Sequence, residues 1–147
     1  MSIVYKTGDL FESNAKGIVV TVNCVGVMGK GIALTCKQRY PSVFQEYKVL
    51  CDNGVFTPGM VHQHVVGDRL VFTAATKNHW RYRSEFMWIV SIIAQIKTYL
   101  LGNPTASIAI PPLGCGNGGL DWTTVDILIH EALRDLPNDI EVYAPIG

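Results

Sequence analysis

Two clusters of glycine mark where this chain could hold a ligand through its backbone. Gly114, Gly116, Gly118 and Gly119 follow the short apolar alternation that ends at Ile110 and its two prolines, and Gly26, Gly29 and Gly31 follow the apolar run Gly17–Asn23. Glycines let main-chain N–H groups come close to a ligand and adopt positive φ. A loop of this kind that follows a strand and opens a helix aims amides and the positive helix end at one spot, a device for holding phosphate without charged side chains. Two such loops favour a diphosphate with a sugar on each side. Neither segment has P-loop or GxGxxG spacing in its usual context, so those nucleotide sites are disfavoured.

Other side chains could add chemistry. Asp9, after the first strand, is placed to select a base or ribose from the rim, or to cap its own turn. Cys115 lies in the glycine loop, but no histidine or aspartate within the loop is placed to activate it, and we read it as small filler. The segment Lys77-Asn-His-Trp-Arg-Tyr-Arg83 interleaves cations with aromatics. It could offer a single strand or flipped base arginines for phosphate and rings for stacking, or its aromatics could simply anchor the loop. His62 and His64 share one face of a strand, but with no third ligand in view we expect an exposed strand face rather than a metal site. His130 is expected on a helix surface.

The elements that must position these residues alternate. Ile3–Tyr5, Gly17–Asn23, Val61–Val66, Leu70–Ala74, Ser107–Ile110 and Ile140–Tyr143 read as strands, the third and fourth joined through Gly67-Asp68-Arg69 as a hairpin. Ile32–Arg39, a segment starting at Pro41 with Phe44, Tyr47 and Leu50 at helical spacing, a long amphipathic segment after Ser84, and Thr123–Asp135 read as helices. Ser84 is the expected N-cap of the long helix, with Phe86, Ile89, Val90, Ile93, Ile96 and Leu100 as its apolar stripe. The pattern predicts a three-layer α/β/α domain with a central mixed sheet, one domain over residues 1–147. Both glycine loops would then meet at the carboxyl ends of the strands.

Composition agrees with a well-packed domain: 147 residues, 48% hydrophobic and 16% charged, with 12 basic and 12 acidic side chains. Zero formal charge argues against non-specific coating of nucleic acid but leaves a local contact open. The four cysteines have no CxxC spacing and read as free thiols in a reducing compartment. No signal peptide pattern opens the chain, and the apolar run Phe86–Leu101 is too short and interrupted to span a bilayer. A soluble, cytoplasmic protein without membrane contact is expected.

Three stretches together carry a family resemblance: Asn23-Cys-Val-Gly-Val-Met-Gly-Lys-Gly-Ile-Ala33, Thr76-Lys77-Asn-His-Trp80 and Pro112-Leu-Gly-Cys-Gly-Asn-Gly-Gly-Leu-Asp-Trp122, with Gly8-Asp9-Leu10 in support. They resemble the macrodomains, ADP-ribose-binding domains, and within them the DarG and terminal ADP-ribose glycohydrolase branch. The resemblance covers nearly the whole chain. It implies removal of ADP-ribose from modified nucleic acid, most specifically thymidine-linked ADP-ribose on DNA, reversing a DarT-type toxin. A phosphatase acting on ADP-ribose 1″-phosphate and a non-catalytic ADP-ribose reader are the alternatives on the same fold. Full-length DarG also carries a C-terminal toxin-binding region, which is not expected in these 147 residues.

The resemblance also implies roles. Asp9 would accept from the adenine amino group, with the Leu10 amide beside it. Asn23 and the segment Gly29, Lys30, Gly31 would meet the distal ribose, with Ile32 next to them. Leu113, Gly114, Cys115, Gly116, Asn117 and Gly118 would wrap the diphosphate. Thr76 precedes Lys77, which matches the lysine these glycohydrolases use in catalysis. His79, Trp80, Arg81 and Arg83 would contact single-stranded DNA. No metal and no cofactor is implied, ADP-ribose being ligand and product. Lysine chemistry suits such a bond: a neutral amine near the anomeric carbon can attack it and form a Schiff base that water resolves. Its pKa would have to be lowered by burial or by neighbouring cations such as Lys30, Arg81 and Arg83. One departure is clear. The human member pairs its lysine with an aspartate at the position that is Gly118 here, and Asp121 is instead expected to cap the following helix, so no general acid is assigned.

Overall fold

The computed structural model describes residues 3–145; the outermost positions of the domain expected over 1–147 lie outside the described residues. The chain runs β1 (Ile3–Lys6), β2 (Gly17–Val22), α1 (Gly31–Arg39), α2 (Pro41–Asp52), β3 (Val61–Val66), β4 (Arg69–Ala75), α3 (Phe86–Gly102), β5 (Ile108–Ile110), α4 (Trp122–Leu133) and β6 (Ile140–Tyr143). Short 3-10 turns at Leu10–Glu12 and Gly116–Gly118 interrupt two of the loops.

The strands form one six-stranded sheet in the order β1-β6-β5-β2-β4-β3. All neighbouring pairs are parallel except β3 with β4, whose register closes Val66 against Arg69 around Gly67 and Asp68. β2 is central and buried on both faces, which explains its nearly continuous apolar sequence. Successive side chains on a strand alternate between faces. Val19 therefore joins Ile89, Ile92, Ile96, Val125 and Ile129 under α3 and α4. Ile18, Val20 and Val22 face the other way, with Cys36, Val43 and Tyr47 of α1 and α2. Helices cover both faces, giving three layers. No helix among the described residues is long and apolar enough to cross a membrane.

Three local expectations are corrected. Ser84 does not cap α3: the N-cap is Glu85, which makes no side-chain cap bond. The buried stripe of α3 is Ile89, Ile92, Ile93, Ile96 and Leu100, while Phe86 and Val90 are exposed. The strand face carrying His62 and His64 is only half exposed. His64 is buried, with Nδ1 2.6 Å from Glu46 of α2 and Nε2 2.8 Å from the Thr73 hydroxyl. Both ring nitrogens are engaged, so neither is left for a metal.

The topology decides where the loops go. β5, β2 and β4 are adjacent and parallel, so their following loops emerge side by side at one edge of the sheet. Those loops are Pro111–Asp121, Asn23–Lys30 and Thr76–Glu85.

Candidate active site

The loop after β2 is built around Asn23. Its buried carboxamide accepts from the amides of Val25 (3.1 Å) and Val27 (3.4 Å) and donates to the Val27 carbonyl (2.8 Å). The hydroxyl of Tyr47, fully buried in α2, lies 2.8 Å from the Asn23 side-chain oxygen and 2.9 Å from its carbonyl. Met28, 1% exposed, pins the loop into the core under α1 and α2. The loop then delivers Lys30 as the N-cap of α1, with no side-chain cap bond. The first-turn amides of a helix have no intrahelical partner, and here those of Gly31, Ile32 and Ala33 belong to residues that line a cleft.

The loop after β5 is held by Leu113, fully buried in the core under α3 and α4. Gly114 takes φ +71° and accepts at its carbonyl from the Leu120 amide, folding the loop back on itself. The cap of α4 is Asp121, as expected. Its carboxylate accepts from the Thr124 amide (3.1 Å) and hydroxyl (3.0 Å) and does not line the cleft.

The loop after β4 ties the other two together. The Thr76 amide donates to Val22, and the Cys24 amide donates to Asn78. On the other side the Ser84 amide donates to Gly118 and the Arg83 guanidinium to the Gly119 carbonyl at 2.8 Å.

Between the three loops lies a cleft of ≈ 670 Å³, of ordinary size for a small-molecule site. Of the residues proposed from sequence, Asn23, Gly29, Lys30, Gly31, Ile32, Thr76, Lys77, Trp80, Arg81, Gly114, Cys115, Asn117 and Gly118 line it. Asp9, Leu10, Leu113, Gly116, His79 and Arg83 do not. Asp9 and Leu10 follow β1, three places from β2 in the sheet. One Asp9 oxygen accepts from the Phe11 amide at 2.9 Å, and the other lies 3.8 Å from Arg39 in the last turn of α1. Leu10 is buried. Arg83 braces the glycine loop, and the His79 ring accepts from the Arg81 amide and packs between Trp80 and Tyr82. Thr21, Val22, Val27, Ala33, Ser84 and Pro112 also line the cleft and were not assigned a site role from sequence, although Val27, Ala33 and Pro112 fall within the stretches that carry the resemblance. Thr21 and Val22 flank the β2 exit and were findable as the residues just before Asn23; Ser84 was read as a cap instead.

Lys30, Lys77 and Arg81 are the charged residues of the lining, and no carboxylate joins them among the described residues. In a chain of zero net charge this concentrates positive charge where main-chain amides also converge, an arrangement that selects anions. Burial of its amine lowers the pKa of Lys77 from the ordinary lysine value, and the nearby Lys30 ammonium lowers it further. Lys77 Nζ donates to the Trp80 carbonyl at 3.3 Å. Burial, with Asp121 adding to it, pushes the Cys115 thiol up to about 11, the opposite of what a nucleophilic thiolate needs. In the loop after β4, Trp80 and Tyr82 are 47% and 65% exposed, and the Arg81 guanidinium sits 4.8 Å from the Trp80 ring centre.

Comparison with known proteins places this architecture. The DNA ADP-ribosyl glycohydrolase of Mycobacterium tuberculosis is 40% identical over 150 residues, covering 99% of this chain and 43% of that protein. This chain thus spans less than half the length of that relative. The solved macrodomain of Mycobacterium tuberculosis DarG superposes with a TM-score of 0.93 at 40% identity, covering 98% of both chains. Thermosipho africanus DarTG, solved in complex with ADP-ribose, superposes with a TM-score of 0.89 at 29% identity over 99% of this chain and 42% of that one. A family model for the macro domain matches residues 19–129, and with that match, the sheet order and the two glycine loops in hand, the chain belongs to the macrodomain family.

Proposed function

We propose that this protein releases ADP-ribose from modified nucleic acid, specifically thymidine-linked ADP-ribose on DNA, with Lys77 as the nucleophile, thereby reversing the mark of a DNA ADP-ribosyl transferase. The observation that carries the reading is the cleft itself: three cations, no carboxylate among the described residues, and two glycine loops around one lysine whose pKa is lowered. The name of the Mycobacterium tuberculosis relative and the ADP-ribose complex of the Thermosipho africanus protein support it.

In this reading the glycine loop Gly114–Gly118 and the first turn of α1 hold the diphosphate, as amide-rich loops and helix starts do. The distal ribose then lies toward Lys77. The neutral Nζ attacks the anomeric carbon as the bond to the base nitrogen breaks. The bonding pair leaves with the base, which takes up a proton. The amine keeps its new bond to carbon, and ring opening, with a proton to the ring oxygen, gives a protonated Schiff base. Water adds to it, expels the lysine amine and frees ADP-ribose. The route draws on no metal or cofactor. Asp9 keeps one carboxylate oxygen with only a long contact to Arg39, which suits it to an incoming amino group such as that of adenine. Trp80, Tyr82 and Arg81 offer stacking faces and charge for the strand that carries the modified base.

The test is product analysis. Incubation with thymidine-ADP-ribosylated single-stranded DNA should release free ADP-ribose and restore the unmodified oligonucleotide. Unaltered DNA together with release of inorganic phosphate from ADP-ribose 1″-phosphate would refute the reading in favour of a phosphatase, and tight ADP-ribose binding without turnover would leave a reader module.

A further inference from the structure

Ser84 is a buried hydroxyl that the fold does not use. The residue is 5% exposed, and its Oγ has no hydrogen-bond partner among the described residues. Buried polar atoms are nearly always paired, and an unpaired one costs stability unless something else uses it. Nor does Ser84 cap α3, whose N-cap position is occupied by Glu85. Yet Ser84 lines the cleft, and its main chain is fixed there by the bond from its amide to the Gly118 carbonyl at 3.0 Å.

Its position follows from the glycine opposite. A Cβ at Gly118 would stand 2.5 Å from Ser84 Oγ, 3.2 Å from Ser84 Cβ and 3.9 Å from Lys77 Cε. Ser84 therefore fills the notch that a side chain at position 118 would occupy, and it does so beside the lysine stem. The absence of a side chain at Gly118 is what leaves room for this hydroxyl at the cleft wall, near the Lys77 stem.

We propose that Ser84 Oγ hydrogen-bonds the distal ribose of ADP-ribose and holds its anomeric carbon against Lys77. The proposal rests on the reading that ADP-ribose is the ligand and that its distal ribose lies at Lys77. Ser84 has no claim to be an acid, since an unperturbed alcohol gives up its proton too reluctantly. Its task is orientation, for which a fixed, otherwise unused hydroxyl is well suited.

Paired affinities test this. ADP lacks the distal ribose, so titration calorimetry with ADP-ribose and with ADP isolates that half of the ligand. Ser84→Ala should weaken ADP-ribose binding by about three- to tenfold, the worth of one hydrogen bond, and leave ADP affinity unchanged. The unliganded variant should melt at or above the wild-type temperature, because the hydroxyl has no partner to lose.

Equal losses for both ligands, no loss for either, or wild-type protein that binds neither would overturn the contact. DNA turnover is scored separately. Wild-type protein that binds ADP-ribose in a Ser84-dependent way but leaves modified DNA intact keeps the ribose contact and loses the glycohydrolase reading. Wild-type protein that clears the DNA, with unchanged ligand selectivity in Ser84→Ala, does the reverse.

Discussion

Replacing Asn23 by alanine should disable the cleft through the loop after β2 without removing a charge. The carboxamide makes three bonds to that loop, two accepted from the Val25 and Val27 amides and one donated to the Val27 carbonyl. Val25 and Val27 are 42% and 45% exposed, so water can partly satisfy the freed groups. Each bond is then worth about 0.5–1 kcal/mol, and the three together about 1.5–3 kcal/mol. The Tyr47 hydroxyl retains the Asn23 carbonyl at 2.9 Å and is not left orphaned. If binding must restore the loop, the same energy appears as a loss of about ten- to a hundredfold in ADP-ribose affinity. Urea denaturation gives the first quantity and calorimetric titration the second. Tyr47→Phe is the contrast: it leaves all three loop bonds in place, so it should cost about 1 kcal/mol of stability and little affinity. If Asn23→Ala bound ADP-ribose as wild type does, or if Tyr47→Phe weakened binding as much, the account of the loop would be refuted.

Three further substitutions probe separate parts of the site. Lys30 lowers the pKa of Lys77, and the reactive form of Lys77 is the neutral one. The rate should therefore rise with pH through a lysine pKa below its ordinary value, and Lys30→Gln should move that limb to higher pH in a pH–rate profile; an unmoved limb would remove Lys30 from the tuning. Gly114→Ala places a Cβ 2.7 Å from Leu120 Cδ1 and 3.0 Å from Ile89 Cδ1 at φ +71°. Strain and overpacking together should cost about 2–4 kcal/mol in chemical denaturation. Asp121→Ala removes the cap of α4 and should lower stability by about 1 kcal/mol while keeping DNA turnover at temperatures where the protein is folded; a collapse of turnover in folded protein would make Asp121 a catalytic acid after all.

The fold was legible where local pattern and tertiary role agree. The β2 run is nearly continuously apolar, with Thr21 as its one polar side chain, because it is central and covered on both faces, and the two glycine loops announce themselves by composition. The stripe of α3 was misread because the helix is apolar almost all round from Phe86 to Ile93, so periodicity could not choose Ile92 over Val90. His64 was assigned to an exposed face because its partners, Glu46 and Thr73, come from other elements. That Asp9 stands outside the cleft lining could not be read from chain order, which hides that β6 and β5 intervene between β1 and β2. Ser84 was read as a cap because serine before an apolar run usually is one; its place in the cleft depends on Gly118, in the loop that follows β5.

Borohydride trapping during turnover tests the central claim most directly. With thymidine-ADP-ribosylated single-stranded DNA as substrate, reduction should fix the Schiff base as a secondary amine, and peptide mass spectrometry should place the ADP-ribose-derived adduct on Lys77. Lys77→Ala should form no adduct and lose turnover on the order of a hundredfold or more. Release of ADP-ribose without any adduct, at an undiminished rate in Lys77→Ala, would contradict the account.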